Sequence, residues 1–182
     1  MASSTPATRD GTFAGSCLCG QIRYVFEIGT SSEGCPTINH CHCSDCRKFH
    51  GAAFGTAVKA VTWEWEYVKQ GPWVPPSEEL PLLQSYKQPN GCQRYFCRVC
   101  GSSLAFQSAH PNDSVLYFAI STLDGNGFTA NDDSPNERQK DSSQLLQPSA
   151  HIFWDSKADW LISNEFDSLP KYSKDRTSCR RS

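Results

Sequence analysis

Seven of the ten cysteines in this chain stand in three short clusters, and the spacing within each cluster is typical of zinc ligands. The clusters are Cys17–Cys19, Cys41–Cys43–Cys46 and Cys97–Cys100. A structural zinc ion takes four protein ligands, whereas a catalytic zinc ion keeps one position open for water or substrate. Seven thiolates therefore predict one closed site with four cysteines and a second, open site with three.

The reach of the chain indicates how the cysteines divide between the two sites. Cys41, Cys43 and Cys46 lie within a run of six residues and can surround one ion together. The remaining cysteines form two pairs from distant parts of the chain, Cys17 with Cys19 and Cys97 with Cys100. We expect these two pairs to share a structural zinc that joins an N-terminal strand region to a later hairpin. Other divisions of the seven cysteines stay open at this point.

A disulfide framework is the alternative explanation for so many cysteines. Ten cysteines in 182 residues is below the density of small disulfide-stapled domains. The first dozen residues are small and polar and lack the apolar stretch of a secretory signal. The pattern therefore favours metal binding in a reducing compartment, and it predicts a cytoplasmic protein.

Length and charge narrow the functional class. A chain of 182 residues fits one domain, predicted over residues 13–172, between a disordered tail at 1–12 and a flexible tail at 173–182. The formal net charge is −2 and the basic residues are dispersed, which argues against nucleic acid as a partner. No apolar stretch approaches the ~20 residues of a membrane span, so no membrane partner is expected. The sequence does not predict the oligomeric state.

Alternating apolar residues predict short β-strands and little helix. The clearest case is residues 21–28, in which Ile22, Tyr24 and Phe26 share one face. Further strands are predicted over residues 52–61, 63–67, 82–87, 93–96, 102–107 and 115–120, with an Asn-Gly turn signal at residues 90–91. One short helix is predicted over residues 44–50, with Ser44 as its N-cap. The predicted fold class is therefore mainly β.

Two segments are predicted to be loops. Residues 71–81 contain four prolines around Trp73, and this segment either lies on the surface or closes over a pocket. Residues 126–149 are polar and are predicted to form a flexible surface loop.

Three motifs together resemble the glutathione-dependent formaldehyde-activating (GFA) family, which includes the GFA domain of centromere protein V. The motifs are residues 15–24 (GSCLCGQIRY), 40–47 (HCHCSDCR) and 96–101 (FCRVCG), and the resemblance runs from about residue 15 to about residue 125 and on to residues 151–153. It implies a single GFA-type, Mss4-like zinc-binding β domain with two Zn²⁺ cofactors. The implied ligands are Cys17, Cys19, Cys97 and Cys100 for a structural zinc, and Cys41, Cys43 and Cys46 for a catalytic zinc.

The resemblance also implies an activity. Founding members use glutathione and formaldehyde, which implies a zinc-dependent lyase, labelled a carbon–sulfur lyase, for a small carbonyl- or carboxylate-bearing substrate. The family also includes fungal enzymes that decarboxylate small acids. At His50 and Gly51 this chain departs from a pattern in which a small hydroxyl residue more often precedes the glycine. The use of glutathione is therefore left open. The alternatives are zinc-dependent decarboxylation of a small aromatic or unsaturated acid in specialised metabolism, such as that of fungi, and a non-catalytic zinc-binding interaction module.

Candidate catalytic and binding residues surround the three-cysteine cluster. His50 and His42 can supply or accept a proton, because histidine titrates near neutrality. Either histidine could instead be a fourth zinc ligand, which would close the site. Arg47 follows the last cysteine, and its guanidinium group suits a substrate carboxylate or supports the charge of the thiolates. Phe49 and Phe54 are predicted to line an apolar substrate pocket, with core packing as the alternative.

Overall fold

Antiparallel strands dominate the computed structural model, which describes residues 12–28, 38–68, 81–109, 115–124, 146–161 and 168–174. The strands are β1 (Thr12–Ser16), β2 (Ile22–Ile28), β3 (Ile38–Cys41), β4 (Gly55–Tyr67), β5 (Leu83–Lys87), β6 (Gln93–Cys97), β7 (Ser103–Gln107), β8 (Leu116–Ala119) and β9 (His151–Ile152). One α-helix, α1 (Ser44–His50), and two 3₁₀ turns, Ile120–Thr122 and Trp154–Ser156, complete the described part. None of these helical segments has the length and apolar character that crossing a membrane requires. The mainly β class and the short helix are confirmed.

The strands form a sheet in the order β1-β2-β4-β8-β7-β6-β5, with antiparallel pairing throughout. β3 pairs with the first residues of β4, and β9 runs parallel to β3 on its other side. The parallel pair sets His40 beside His151 and Cys41 beside Ile152. A late part of the chain therefore borders the strand that ends at the three-cysteine cluster.

β4 is one strand of 13 residues where the sequence pattern predicts two. The predicted break at Thr62 is wrong, because Thr62 pairs with Glu27 and its hydroxyl donates to the Glu27 carboxylate over 3.0 Å. The register shifts at this point, since Ile28 pairs with Ala60, but the strand continues. Residues 52–54, predicted as strand, lie in the bend after α1. Different neighbours pair with β4 along its length, β3 and β8 near its start and β2 toward its end.

Several predicted segments fall outside the described residues. These are residues 1–11 of the N-terminal tail, 71–80 of the proline-rich loop, 126–145 of the polar loop and 175–182 of the C-terminal tail. Thr12, the last residue of the predicted N-terminal tail, is the first residue of β1. The sequence pattern misses β1, β3 and β9, because their residues (TFAGS, INHC and HI) show no clear alternation of apolar and polar side chains.

Aromatic side chains from β1, β2, β4 and β8 pack together in the core. The ring centroids of Tyr24 and Phe118 lie 4.5 Å apart, and those of Phe26 and Phe118 lie 4.8 Å apart. Trp65 meets Tyr24 edge-on at 5.5 Å, and Phe13 stacks on Phe26 at 5.7 Å. Stacked and edge-to-face pairs of this kind stabilise a core beyond the area that they bury. Tyr24 and Phe26 are fully buried, as the alternation in β2 predicts.

β1 also meets the turn that follows β8, so that β1, β2, β4 and β8 form a ring of strands around these aromatic side chains. Gly15 bridges to Leu123, and the Tyr24 hydroxyl lies 2.6 Å from the Thr122 hydroxyl. A Cβ at Gly15 would collide with the Tyr24 hydroxyl and with the Thr122 carbonyl oxygen. The ring therefore depends on a residue without a side chain at position 15.

We expect Gly15→Ala to lower the free energy of unfolding by about 1–3 kcal/mol, the usual cost of adding atoms to a packed site. Tyr24→Phe removes the hydroxyl without adding atoms and should cost about 0.5–1.5 kcal/mol, because one hydrogen bond is lost. Denaturant unfolding measures both values. A Gly15→Ala protein as stable as wild type would contradict the close approach of β1 to the turn after β8.

Candidate metal centres and active site

Cys17, Cys19, Cys97 and Cys100 come together where two turns meet. Their Sγ atoms all lie within 4.8 Å of one another, close enough to share one metal ion. One pair lies in the turn between β1 and β2, and the other pair lies at the turn between β6 and β7. The glycine that follows each pair has a positive φ, a conformation that glycine adopts at little cost. The structure therefore brings together the four cysteines that the argument from reach groups in one site.

Ser102 links the two halves of this four-cysteine site. Its hydroxyl accepts a hydrogen bond from the Leu18 N–H at 2.9 Å and lies 3.2 Å from the Cys100 Sγ. Burial opposes ionisation of Cys100, but hydrogen bonds, chiefly from Ser102, outweigh it and lower the pKa of this thiol to about 6. Cys100 is therefore ready to bind metal as a thiolate. The next residue, Ser103, donates from its hydroxyl to the backbone carbonyl of Phe49 in α1.

Cys41, Cys43 and Cys46 form a second group, and their Sγ atoms also lie within 4.8 Å of one another. Cys41 ends β3, and Cys46 lies in α1. Cys43 is the N-cap of α1, since its Sγ accepts from the Cys46 N–H at 3.4 Å. The N-cap predicted at Ser44 is wrong by one residue, because a sulfur takes the place of the usual hydroxyl. Hydrogen bonds from the Cys41 and Cys46 thiols hold the pKa of Cys43 well below its usual value.

The three-cysteine group has no fourth ligand among the described residues. His42 and His50, which the sequence allows as a fourth ligand, are not members of the group. The donor atoms are three sulfurs, which suits a zinc ion. An ion held by three protein ligands keeps one coordination position for another molecule.

His42 belongs to a buried histidine cluster with His151 of β9. The His42 Nε2 lies 2.8 Å from the His151 Nδ1, and both side chains are fully buried. Trp154 meets the His42 ring edge-on, with centroids 4.8 Å apart. Burial first, and then the neighbouring His151, lower the pKa of His42 to about 4, so the ring is neutral at pH 7. His42 thus fastens the loop between Cys41 and Cys43 to β9, and its catalytic role stays a prediction.

The His50 ring lies against Gly55, the first residue of β4. A Cβ at Gly55 would collide with the His50 ring and would lie 3.3 Å from the Cys46 Cβ. The imidazole therefore borders the three-cysteine group across a residue that has no side chain. Burial first, and then the charge of Arg94, lower the pKa of His50 to about 4, which leaves the ring neutral at pH 7. The position suits the predicted acid–base role, and the role itself stays a prediction.

The other residues predicted to bind substrate are Arg47, Phe49 and Phe54, and each contacts a different group. Arg47 donates from Nε to the backbone carbonyl of His42 over 3.2 Å. The Phe49 ring packs against the guanidinium group of Arg94, whose Cζ lies 5.1 Å from the ring centroid. The Phe54 ring packs against the His42 ring, with centroids 5.2 Å apart. Phe49 thus joins the surroundings of Arg94, whereas Phe54 joins the histidine cluster.

Sequence reasoning misses two residues of this site, Arg94 and His151. Both terminal nitrogens of the buried Arg94 guanidinium group lie 3.9 Å from the Cys46 Sγ. Arg94 is 48 residues from Cys46, and His151 is 109 residues from His42, so no local pattern joins them. The one local signal for Arg94 is that it is the single charged residue in a short strand (QRYFC). This pattern predicts the strand but does not identify Cys46 as the partner of Arg94.

Comparison with protein families matches residues 12–156 to the model of the glutathione-dependent formaldehyde-activating enzyme family. The chain belongs to the GFA family. A search of curated proteins found no match. A similar solved structure is that of a Rhodobacter sphaeroides protein, which is 21% identical, with a TM-score of 0.44 and coverage of 62% of this chain and 88% of that chain. The family assignment predicted from the cysteine motifs is confirmed.

We expect the two cysteine groups of this GFA domain to differ in how strongly their metal binding is coupled to folding. Cys19 and Cys97 stand 78 residues apart, so metal binding in their group is coupled to folding, and Cys97→Ser should unfold or aggregate the protein. Cys43→Ser removes a ligand of the local group but leaves serine, a good N-cap, at the start of α1. That variant should stay folded and lose one metal ion. Metal analysis with circular dichroism measures both outcomes, and a single zinc ion in folded wild-type protein would contradict them.

The pair of His42 and His151 should position the ligand loop. His151→Phe keeps a ring in the cluster but takes the partner from the His42 Nε2, so we expect a loss of about 1–3 kcal/mol of stability. Metal affinity of the three-cysteine group should fall by roughly 10–100-fold, as when other residues that orient ligands are replaced. Chelator competition measures the affinity. Trp154→Phe, which leaves the hydrogen bond in place, is the control. Equal affinity in wild type and His151→Phe would exclude a positioning role.

Proposed function

We propose that this chain is a zinc-dependent lyase for a small carbonyl- or carboxylate-bearing substrate, with carbon–sulfur chemistry on a glutathione adduct as the leading activity. The observation that carries the proposal is the group of Cys41, Cys43 and Cys46, to which no other described residue adds a fourth ligand. Membership of the GFA family, whose description is glutathione-dependent and formaldehyde-activating, supports it.

The donor atoms of the three-cysteine group fit zinc. Three sulfur atoms stand within 4.8 Å of one another, and hydrogen bonds from its two neighbours lower the pKa of Cys43, which favours its thiolate form. A preformed thiolate helps because ligands must lose their protons before they bind metal. A zinc ion held here would supply an open position at which a substrate oxygen or sulfur is bound and polarised.

His50 is the residue that we assign to proton transfer, because its ring borders Cys46 across Gly55. A neutral imidazole accepts the proton of an incoming thiol, and the thiol sulfur forms a bond to the carbonyl carbon of an aldehyde. The imidazolium then returns the proton to the former carbonyl oxygen. The product is a hemithioacetal, and the histidine ends in its starting form. In the reverse direction the same group assists cleavage of the carbon–sulfur bond.

Arg47, Phe49 and Phe54 are assigned to substrate binding. The bond from the Arg47 Nε to the His42 carbonyl holds this side chain beside the ligand loop. The outer guanidinium nitrogens of Arg47 are the atoms that we expect to bind a substrate carboxylate. Phe49 offers an apolar surface next to Arg94, and Phe54 offers one next to the histidine cluster.

Decarboxylation of a small aromatic or unsaturated acid is the second candidate. The observation that favours it is the positive charge of Arg94 beside the rings of Phe49 and Phe106, with the Arg94 Cζ at 5.1 and 5.6 Å from their centroids. The two rings offer an apolar surface that suits an aromatic substrate, and the charge beside Cys46 favours an anionic ligand at the three-cysteine group. His50 would take up a proton from solvent and pass it to carbon after carbon dioxide leaves, which returns the ring to its neutral form.

Glutathione separates the two activities experimentally. If the carbon–sulfur lyase assignment holds, calorimetry should show glutathione binding to wild type and none to Cys43→Ser. NMR should then show that wild type accelerates formation of the formaldehyde adduct. If wild type does not bind glutathione but releases carbon dioxide from small aromatic or unsaturated acids, the protein is a decarboxylase instead. Metal-loaded protein that does neither would be a zinc-binding interaction module.

His50→Ala should lower turnover by roughly 10²–10⁴-fold with metal content intact, the usual contribution of a positioned acid or base. Gly55→Ala tests the same group without changing it, because the added methyl group displaces the His50 ring. Arg47→Ala should weaken substrate binding, by about 2–5 kcal/mol if its charge contact is desolvated, more than it weakens folding. Steady-state kinetics and unfolding curves measure these effects. Wild-type turnover in His50→Ala would remove this histidine from the mechanism.

A further inference from the structure

The charge of the three-cysteine group raises a problem for the proposed function. Three thiolates around one Zn²⁺ ion give a centre with a formal charge of −1. Such a centre repels an incoming thiolate or carboxylate, and the repulsion is strong where water is excluded. The proposed lyase nevertheless needs an anionic sulfur or oxygen to bind at this point. A compensating positive charge close to the thiolates would remove the conflict.

Arg94 has the position of such a charge. Its side chain is 7% exposed, and Nη1 and Nη2 each lie 3.9 Å from the Cys46 Sγ. The Nε donates to the Gln88 side-chain carbonyl over 2.8 Å, which fixes the plane of the guanidinium group. The rings of Phe49 and Phe106 pack against it. The fork of the guanidinium group is therefore held toward one sulfur atom.

A buried arginine needs an anionic partner, because it stays protonated and a buried unpaired charge is costly. Within the part of the chain that the structure describes, the polar side chains that contact Arg94 are Gln88 and Cys46. Gln88 is neutral, and no carboxylate of the described residues forms an ion pair with Arg94. The anionic partner that the geometry offers is therefore the Cys46 sulfur, which loses its proton when it binds metal.

We propose that Arg94 is the counter-charge of the three-cysteine group, a positioning residue that balances one thiolate and so allows an anionic sulfur or oxygen ligand to bind. The inference rests on the proposed function, since it takes zinc to occupy this group. Arg94 acts through Cys46 and does not touch the reacting atoms. Two N–H groups face one sulfur, so lysine can replace the charge but not the fork.

Cobalt substitution tests the inference without a turnover assay. Cobalt(II) bound by thiolates absorbs visible light, and its spectrum changes when an added ligand enters an open coordination position. Cys43→Ser loads only the four-cysteine group, so subtracting its spectrum isolates the three-cysteine group. Azide serves as the anionic probe and imidazole as the neutral probe. Both are titrated into cobalt-loaded wild type and Arg94→Met.

Arg94→Met should bind azide at least about tenfold more weakly than wild type, because an attractive charge is lost, and should bind imidazole equally well. Its cobalt affinity in the three-cysteine group should fall by roughly 10–100-fold. Arg94→Lys should recover azide binding in large part, which a purely structural role would not explain. Arg23→Met, which removes an exposed arginine from β2, is the charge-matched control and should change neither value.

A second variant keeps the test decisive if Arg94→Met does not fold. Gln88→Glu sets a carboxylate beside the Arg94 Nε and offers the guanidinium group a competing anion, so azide binding should weaken while Arg94 remains in place. Azide and cobalt affinities within twofold of wild type in folded Arg94→Met would overturn the inference. If Arg94→Met does not fold, a Gln88→Glu variant that binds azide as tightly as wild type would overturn the inference.

The outcome separates this inference from the proposed function. If azide binding depends on Arg94 but the protein neither forms the adduct nor releases carbon dioxide, the counter-charge role is supported and the lyase function is contradicted. If the protein has lyase activity but Arg94→Met binds azide and cobalt as wild type does, the lyase function is supported and the counter-charge role is contradicted. Wild type that takes up no cobalt in the three-cysteine group would overturn both.

Discussion

Four sulfur atoms join two turns whose cysteines stand 78 residues apart, and the rest of the domain is arranged around that contact. β1 and β2 extend from one turn, and β6 and β7 extend from the other. β4 and β8 complete the connection between them in the sheet order. Short strands bury little surface individually, so a metal ion at this junction would add cohesion that the aromatic core alone does not supply.

The second cysteine group depends on backbone pairing from two sides. β4 pairs with one edge of β3, and β9 pairs with the other, so the strand that ends at Cys41 is held along both edges. The helix α1 then carries Cys46 while its cap, Cys43, turns a sulfur toward the helix N-terminus. Rigid supports of this kind keep ligands in place when an open coordination position binds and releases another molecule.

Local patterns explain which parts of the molecule can be predicted from the sequence. The cysteine groups follow from short spacings, and β2 follows from the alternation of Tyr24 and Phe26, because these signals lie within a few residues. The predicted break in β4 is wrong because the neighbouring strand, not the local composition, decides where β4 continues. Arg94 and His151 escape prediction for a related reason. Their contacts with Cys46 and His42 exist only after distant strands have paired.

Ser102 and Ser103 are adjacent in sequence but serve different cysteine groups. Ser102 contacts Cys100, whereas Ser103 binds the backbone of Phe49 in the helix that carries Cys46. The peptide unit between them therefore connects the two cysteine groups, because one hydrogen bond ties α1 to the first residue of β7. If both groups bind zinc, this connection would favour one order of filling. When zinc is scarce, the first ion would then bind to the four-cysteine group and stabilise the fold. The three-cysteine group, and with it the capacity for chemistry, would be filled only by a second ion.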